Sequence, residues 1–132
     1  MQKARILVVD DEPEICEVTR NFLARRDYSI FTATTAQDAI NLVTKEHPNL
    51  ILLDVRLGAD SGMDVLRKAK EIDKDIKVIM VTALDDEETI KQAKSLGAYD
   101  YIAKPFTAAY LNDFILQKLA RLNFREKANE KK

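Results

Sequence analysis

The stretch that decides the fold is RILVVDDE, residues 5–12, a largely apolar run followed at once by three acids. Three further apolar runs also end in one polar residue. Residues 50–53 precede Asp54, residues 78–81 precede Thr82, and residues 99–103 precede Lys104. Continuous apolar runs are typical of strands covered on both faces of a parallel sheet. If these runs are neighbouring strands, three carboxylates, one hydroxyl and one ammonium meet at a single sheet edge.

The chain alternates β-rich runs with amphipathic stretches five times. A further strand is predicted at residues 28–33, where β-branched and aromatic residues outnumber helix formers. Strict alternation predicts an α/β fold, a doubly wound parallel sheet with helices on both faces. Right-handed crossovers leave few topologies. We expect five strands in the order 2-1-3-4-5 and five helices.

Start and stop signals place the five helices. Pro13 favours the first turn of the first helix, whose apolar residues recur at helical spacing. These residues are Ile15, Val18, Phe22 and Leu23. The second predicted helix runs from the cap Thr35 to before Pro48, and the third covers residues 62–72. The fourth runs from residues 85–88 to Gly97, and the fifth runs from near Thr107 past Leu122.

Length and composition describe one globular domain. The 132 residues are 46% hydrophobic and 33% charged, with 21 basic and 22 acidic side chains and a net charge of -1. This balance argues against direct binding to nucleic acid. Cys16, the single cysteine, excludes an internal disulfide, and no apolar stretch reaches the ~20 residues that span a bilayer. We expect a cytoplasmic domain over residues 1–122, with no membrane contact. Residues 123–132 would be a polar, basic tail, either a frayed helix end or a truncated linker.

The predicted sheet edge has the chemistry of a phosphoryl-transfer site. Ligands of open α/β sheets bind outside the carboxyl ends of strands, where the strand order reverses. Asp10, Asp11 and Asp54 follow the two strands that flank this point, and carboxylates this close repel one another. Mg²⁺ suits such a group because it accepts a few carboxylates and leaves room for phosphate oxygens. One carboxylate could then attack phosphorus, while Thr82 and Lys104 stabilise the transferred group.

The chain resembles a known family at these positions, the response-regulator receiver domains of two-component signalling, often called CheY-like. The resemblance extends from residue 4 to about residue 122, with every element in order. It implies a flavodoxin-like, CheY-like fold and a signalling role, not that of an enzyme. The segments that carry it are residues 6–12, residues 52–54 with Gly62 eight residues on, residues 79–83, and residues 97–106.

The resemblance implies a role for each residue of the site. Asp54 would accept a phosphoryl group from a sensor histidine kinase or a phosphotransfer protein. The side chains of Asp11 and Asp54 and the backbone carbonyl of Arg56 would hold Mg²⁺, with Asp10 supporting through water. Thr82 and Lys104 would contact the phosphoryl group.

The resemblance also implies a conformational readout. The hydroxyl of Thr82 would move toward the phosphoryl group and the ring of Tyr101 would turn inward behind it. The peptide bond before Pro105 would be cis. The switch would change a partner-binding face formed by the fourth helix, the fifth strand and the fifth helix. A downstream protein or a second copy of the chain would bind there, because Tyr110 and Phe114 lie off the core-facing stripe of the last helix. Phe114 could instead pack back onto the fourth helix.

Two departures from the family pattern matter. In the family, the side chain two residues after the acceptor overlooks the phosphoryl group, and we expect Arg56 at this position to alter phosphoryl lifetime. Receiver domains usually have proline four residues after the acceptor, where this chain has Gly58. We therefore expect a looser loop after the third strand.

Three alternatives to a self-contained signalling switch stay open. The chain could be the receiver part of a larger transcriptional regulator. It could be a hydrolase with an aspartyl-phosphate nucleophile, although such an enzyme needs an acid where Arg56 stands. It could also be a small flavodoxin-like or nucleotide-binding module, although no glycine-rich phosphate loop follows the first strand.

Overall fold

A computed structural model describes residues 4–24, 27–83, 87–107 and 109–118. Five strands form one parallel sheet, and the order β2-β1-β3-β4-β5 confirms the prediction. The strands are β1 (Arg5–Val9), β2 (Ser29–Ala33), β3 (Leu50–Asp54), β4 (Lys77–Ala83) and β5 (Asp100–Lys104). The helices are α1 (Pro13–Ala24), α2 (Ala36–Glu46), α3 (Gly62–Ile72), α4 (Glu87–Ser95) and α5, described over residues 109–118.

The register of the strands brings their polar ends to one edge. Val9 of β1 pairs with Leu53 of β3, so the residues that follow them lie side by side. Asp54 in turn pairs with Val81 of β4. Thr82 pairs with Ala103 of β5, directly before Lys104. The four polar positions that end the apolar runs therefore share one end of the sheet.

Two apolar clusters cover the two faces of the sheet, because alternate side chains of a strand point to opposite faces. Leu7 and Val9 of β1 belong to the cluster that also contains buried side chains of α2, α3 and α4. Ile6 and Val8 belong to the other, with buried side chains of α1 and α5. This arrangement is the predicted doubly wound architecture.

Local signals mark the starts and ends of the helices at the positions that the sequence predicts. The hydroxyl of Thr35 accepts a hydrogen bond from the backbone N–H of Asp38 at 3.1 Å and caps α2. Gly97 follows α4 with a φ of +97°. Thr107 accepts from the N–H of Tyr110 at 3.0 Å, at the predicted start of α5. The predicted extension of α5 past Leu122 and the tail at residues 123–132 lie outside the described residues.

The inward face of α1 differs from the simple apolar pattern. Ile15 is 40% exposed and Val18 is 62% exposed, while Cys16, Thr19 and Leu23 are buried. The Cys16 thiol lies 3.4 Å from the backbone oxygen of Asp10 and 3.7 Å from that of Ala33. Two small side chains, Cys16 and Thr19, thus occupy buried positions on α1, and two large apolar residues face outward.

Within the described part of the chain, no helix is long and apolar enough to cross a bilayer.

The loop between β3 and α3 closes tightly after Asp54. A two-residue hairpin pairs Arg56 with Ser61 and Leu57 with Asp60. The N–H of Gly62 donates to the carbonyl of Val55 at 2.7 Å. A Cβ at Gly62 would lie 2.1 Å from the backbone oxygen of Asp54, so only glycine fits here.

We predict that Gly62→Ala destabilises the fold by about 2–3 kcal/mol, because a backbone oxygen of a buried strand cannot move away from the added methyl group. Gly58→Ala is the matched control. Its Cβ would meet only a carboxylate oxygen at 3.9 Å, and its φ of +61° costs about 1–2 kcal/mol for a non-glycine residue. Urea unfolding of both variants checks this, and an equal or smaller loss for Gly62→Ala would contradict it.

Candidate functional site

Three carboxylates form a cluster at the carboxyl edge of the sheet. Asp10 and Asp11 follow β1, and Asp54 ends β3. One oxygen from each lies within 4.8 Å of the others. Asp10 and Asp54 are buried, whereas Asp11 is exposed.

Each carboxylate of this cluster accepts one hydrogen bond from the backbone. The N–H of Glu12 donates to Asp10 Oδ1 at 3.0 Å, and the N–H of Arg56 donates to Asp54 Oδ1 at 3.1 Å. Both donors lie two residues after the acid that they contact. Asp11 Oδ2 instead accepts from the N–H of Gly58, 47 residues away, at 3.0 Å. One oxygen of each acid is therefore oriented by an amide.

Lys104 supplies a positive charge to the cluster. Its Nζ lies 2.8 Å from Asp54 Oδ2 and 3.9 Å from Asp10 Oδ2. Burial opposes the charged form, but the hydrogen bond to Asp54 and the negative charges of Asp54 and Asp10 outweigh it and raise the pKa of Lys104. The ammonium therefore stays protonated beside the Asp54 carboxylate.

Asp10, at the base of the cluster, has a raised pKa. Burial is the largest influence on this carboxyl and raises its pKa to about 6. The hydrogen bond from the Glu12 N–H opposes this shift, and the nearby charge of Asp54 adds to it. The buried carboxylate at the base of the site is therefore close to taking up a proton under mildly acidic conditions.

An open pocket of about 510 Å³, which we call the acceptor pocket after the predicted role of Asp54, lies at the carboxyl ends of β3 and β4. Thr82 and Lys104 line it together with Asp11 and Asp54, so the structure brings these predicted residues together. Pro105, also at the wall, follows a cis peptide bond, as the resemblance implies. The remaining lining residues are Val55, Arg56 and Val81.

The structure places two of the predicted residues less directly. Tyr101 lies on β5 outside the pocket lining, with 37% of its surface exposed and the Nζ of Lys94 5.9 Å from its ring centre. Arg56 lies at the pocket wall beside the acceptor. The proposed roles of Tyr101 in switching and of the Arg56 carbonyl in metal binding stay predictions.

A second groove adjoins the site and was not found from the sequence. It has a volume of about 430 Å³ and shares Lys104 and Pro105 with the acceptor pocket. Its other lining residues are Glu12, Ile15, Val18, Thr19, Phe22, Phe106 and Leu111. The hydrophobic spacing of α1 pointed to Ile15, Val18 and Phe22, but it could not tell which of them face outward.

Comparison with known proteins identifies the family. The sequence pattern described as "Response regulator receiver domain" matches residues 6–116. The chain belongs to this family. It is 34% identical over 119 residues to "Sporulation initiation phosphotransferase F" from Bacillus subtilis (strain 168), covering 90% of this chain and 96% of that one.

Two further similarities bear on the architecture of this receiver domain. It is 35% identical over 123 residues to "Probable transcriptional regulator ycf27" from Porphyridium aerugineum, covering 93% of this chain but only 51% of that protein. The solved structure of a CheY-like receiver domain protein from Methanospirillum hungatei JF-1 superimposes with a TM-score of 0.87 at 31% identity, covering 94% of this chain and 99% of the other. Receiver domains are signalling domains, so the hydrolase and nucleotide-binding alternatives lose their support.

The acidic cluster of this receiver fits a hard divalent cation. Three carboxylates converge within 4.8 Å, while Lys104 is the one ammonium or guanidinium forming a salt bridge with them among the described residues. Oxygen ligands in this number suit Mg²⁺, which typically binds one or two carboxylates and several waters.

The predicted partner face carries an aromatic pair. Tyr110 is 55% exposed, and its ring centre lies 6.2 Å from that of Phe114. Phe114 is half-buried and packs against the cluster that contains Ile102 and Ile115. Phe114 therefore contributes to the core, and Tyr110 and Tyr101 are the exposed aromatic residues of this face.

We predict that Asp10→Asn stabilises the metal-free receiver at neutral pH. The pKa of this carboxyl is higher in the folded state than in the unfolded state. The folded protein therefore binds its proton more tightly, and stability falls as pH rises from about 4 to about 6. Asparagine removes this loss, so the gain should be about 1–3 kcal/mol near pH 7.5 and much smaller near pH 4.5.

Urea unfolding with a chelator present measures this gain at both pH values. Asp113→Asn is the control, since Asp113 is an exposed acid on α5 and lies outside the cluster. A gain for Asp10→Asn that is equal at both pH values would contradict the assignment.

Proposed function

We propose that this receiver is a phosphorylation-activated switch whose acceptor is Asp54. The donor would be the phosphohistidine of a sensor histidine kinase or a phosphotransfer protein. The observation that carries the proposal is the position of the Asp54 carboxylate. It borders an open pocket, with the Lys104 ammonium 2.8 Å from one of its oxygens. A receiver needs this pairing of a nucleophile with a charge that can stabilise the transferred group.

Transfer would proceed by attack of one Asp54 oxygen on the phosphorus of the donor. A P–O bond forms, the P–N bond to the donor imidazole breaks, and the imidazole keeps the electron pair. The product is an acyl phosphate. Negative charge spreads over the three phosphoryl oxygens during transfer. Lys104 and Thr82, which line the pocket, would contact two of them.

Mg²⁺ would be held by the carboxylates of Asp11 and Asp54 and the backbone carbonyl of Arg56, with Asp10 acting through water. When bound, the ion would neutralise the carboxylates and the incoming phosphoryl oxygens. Asp10 is buried and is not among the residues that line the pocket, which agrees with an indirect role.

The signal would leave the domain through the face formed by α4, β5 and α5. Thr82 of β4 pairs with Ala103 of β5. Ala103 lies two residues after Tyr101 on β5. A shift of Thr82 toward a phosphoryl group would free space behind it for the Tyr101 ring. A downstream protein or a second copy of the chain would recognise the altered face. We keep the cytoplasmic location as a prediction.

Two arrangements of the whole protein are supported. The chain covers 96% of the Bacillus relative, which agrees with a self-contained receiver. It covers 51% of the ycf27 protein from Porphyridium aerugineum, which agrees with a receiver that belongs to a larger transcriptional regulator. In either arrangement the receiver itself would not contact nucleic acid.

The groove beside the acceptor pocket is suited to dock the phosphodonor. Ile15 and Val18 expose apolar surface on α1, and the groove continues into the acceptor pocket through Lys104 and Pro105. A donor surface seated on these side chains would hold its phosphohistidine near Asp54. A small-molecule donor needs no such surface.

We predict that the receiver gains one phosphoryl group from acetyl phosphate only when both Mg²⁺ and Asp54 are present. Intact mass after acid quenching checks this, with Asp54→Ala as the control. Thermal unfolding of the variant would show that it is folded. An equal mass gain in Asp54→Ala would show that another residue accepts the phosphoryl group.

We predict that Ile15→Ala slows phosphorylation by a phosphohistidine donor several-fold, since truncating a side chain that anchors an interface costs more than about 1 kcal/mol. Phosphorylation by acetyl phosphate should not change. Ile72→Ala is the matched control, because Ile72 is 41% exposed and Ile15 is 40% exposed.

The donor for this comparison is a phosphorylated histidine phosphotransfer domain, chosen because it phosphorylates the parent receiver. Equal slowing by Ile15→Ala and Ile72→Ala would argue against docking on α1. Slowing with both the protein donor and acetyl phosphate would instead indicate damage to the acceptor pocket.

A further inference from the structure

Gly58 makes a contact with the acidic cluster that other residue types cannot make equally well. Its N–H donates to Asp11 Oδ2 at 3.0 Å. Its φ of +61° lies in the left-handed region, which glycine adopts without strain. Proline, usual at this position in the family, has no N–H and is restricted to a φ near −65°. The departure therefore adds a hydrogen-bond donor at the site.

The contact differs in kind from the two other amide contacts of the cluster. Asp10 and Asp54 are each oriented by an amide two residues further along the chain, so each of these contacts forms locally. Asp11 is exposed, and its side-chain hydrogen bond comes from a separate loop. Its carboxylate orientation thus depends on where the β3–α3 loop lies.

The β3–α3 loop is anchored well enough to hold this donor in place. Leu57, directly before Gly58, is only 3% exposed and belongs to the core cluster of α2 and α3. The short hairpin pairs Leu57 with Asp60 on the other side of the turn. The expected looseness of this loop is therefore offset by a buried side chain, a hairpin and the bond to Asp11.

We propose that the Gly58 amide is a positioning group for metal binding. It orients Asp11 so that the second oxygen, Oδ1, is directed to the cation. The inference rests on the proposed Mg²⁺ site and adds a partner for it. Hydrogen bonds to ligating carboxylates commonly tune metal affinity, and their loss typically costs about 10- to 100-fold. Coupling between the β3–α3 loop and metal binding is reciprocal. A cation bound to Asp11 must therefore also make this loop more rigid.

The first test compares Mg²⁺ affinity in two variants of Gly58. Gly58→Pro removes the N–H, whereas Gly58→Asn keeps it and tolerates a positive φ. Affinity is read from the rise of melting temperature with Mg²⁺ concentration, because a ligand that binds only the folded state stabilises it. We expect about tenfold weaker binding for Gly58→Pro and near-parental binding for Gly58→Asn.

A double-mutant cycle separates positioning from general damage. If Gly58 acts through Asp11, Gly58→Pro should weaken Mg²⁺ binding in the parent and have little further effect in Asp11→Ala. Additive losses in the double variant would overturn the proposal, and so would parental affinity in Gly58→Pro. A parent that binds no Mg²⁺ at all would overturn the proposed metal site together with this inference. Failure of the metal site is thereby distinguished from failure of the Gly58 inference alone.

Hydrogen exchange of the unmodified protein provides a measurement that needs no variant to fold. Exchange of the amides at residues 57–61 should slow when Mg²⁺ is added. The matched reference is residues 73–76, the turn before β4, where exchange should not change. Unchanged exchange in the β3–α3 loop, with Mg²⁺ binding evident from the melting temperature, would overturn the coupling.

Discussion

The proximity of three carboxylates at one end of a buried sheet is the constraint on which the rest of the site depends. The strand register forces Asp10 and Asp54 together, and Asp11 lies next to them. Three backbone amides and the Lys104 ammonium offset part of this repulsion. Burial raises the pKa of Asp10 to about 6, and the nearby charge of Asp54 adds to this shift. A site with this excess of negative charge would attract the proposed cation, and the cation would in turn favour the binding of phosphate.

The fold and the shared sheet edge could be predicted because both follow from short-range features of the chain. Strands that are covered on both faces must be apolar throughout, so the run at residues 50–53 predicts a buried strand. Parallel strands end at the same edge, which assigns Asp10, Asp54, Thr82 and Lys104 to one place without any knowledge of contacts. The observed register, with Thr82 beside Ala103, follows from this arrangement.

Two features could not be predicted, because each depends on how distant segments approach one another. In α1, the apolar spacing contains Ile15 and Val18, but the buried positions belong to Cys16 and Thr19. A small side chain is favoured where a helix lies close to strand ends, and spacing alone cannot reveal that distance. Gly58 suggests a loose loop when considered by itself, because glycine restricts the backbone least. Its hydrogen bond to Asp11 needs the β1–α1 and β3–α3 loops to meet, which no local pattern specifies.

Lys104 connects these observations, because it lines both the acceptor pocket and the α1 groove. Its ammonium lies 2.8 Å from Asp54 Oδ2 and 3.9 Å from Asp10 Oδ2. If Asp54 accepts a phosphoryl group as we propose, the same charge would serve the phosphoryl oxygens, and Asp10 would lose part of its compensation. The proposed cation and the backbone amides would then have to offset that loss. Orientation of Asp11 by Gly58 would therefore matter most in the phosphorylated state, when the lysine is engaged elsewhere.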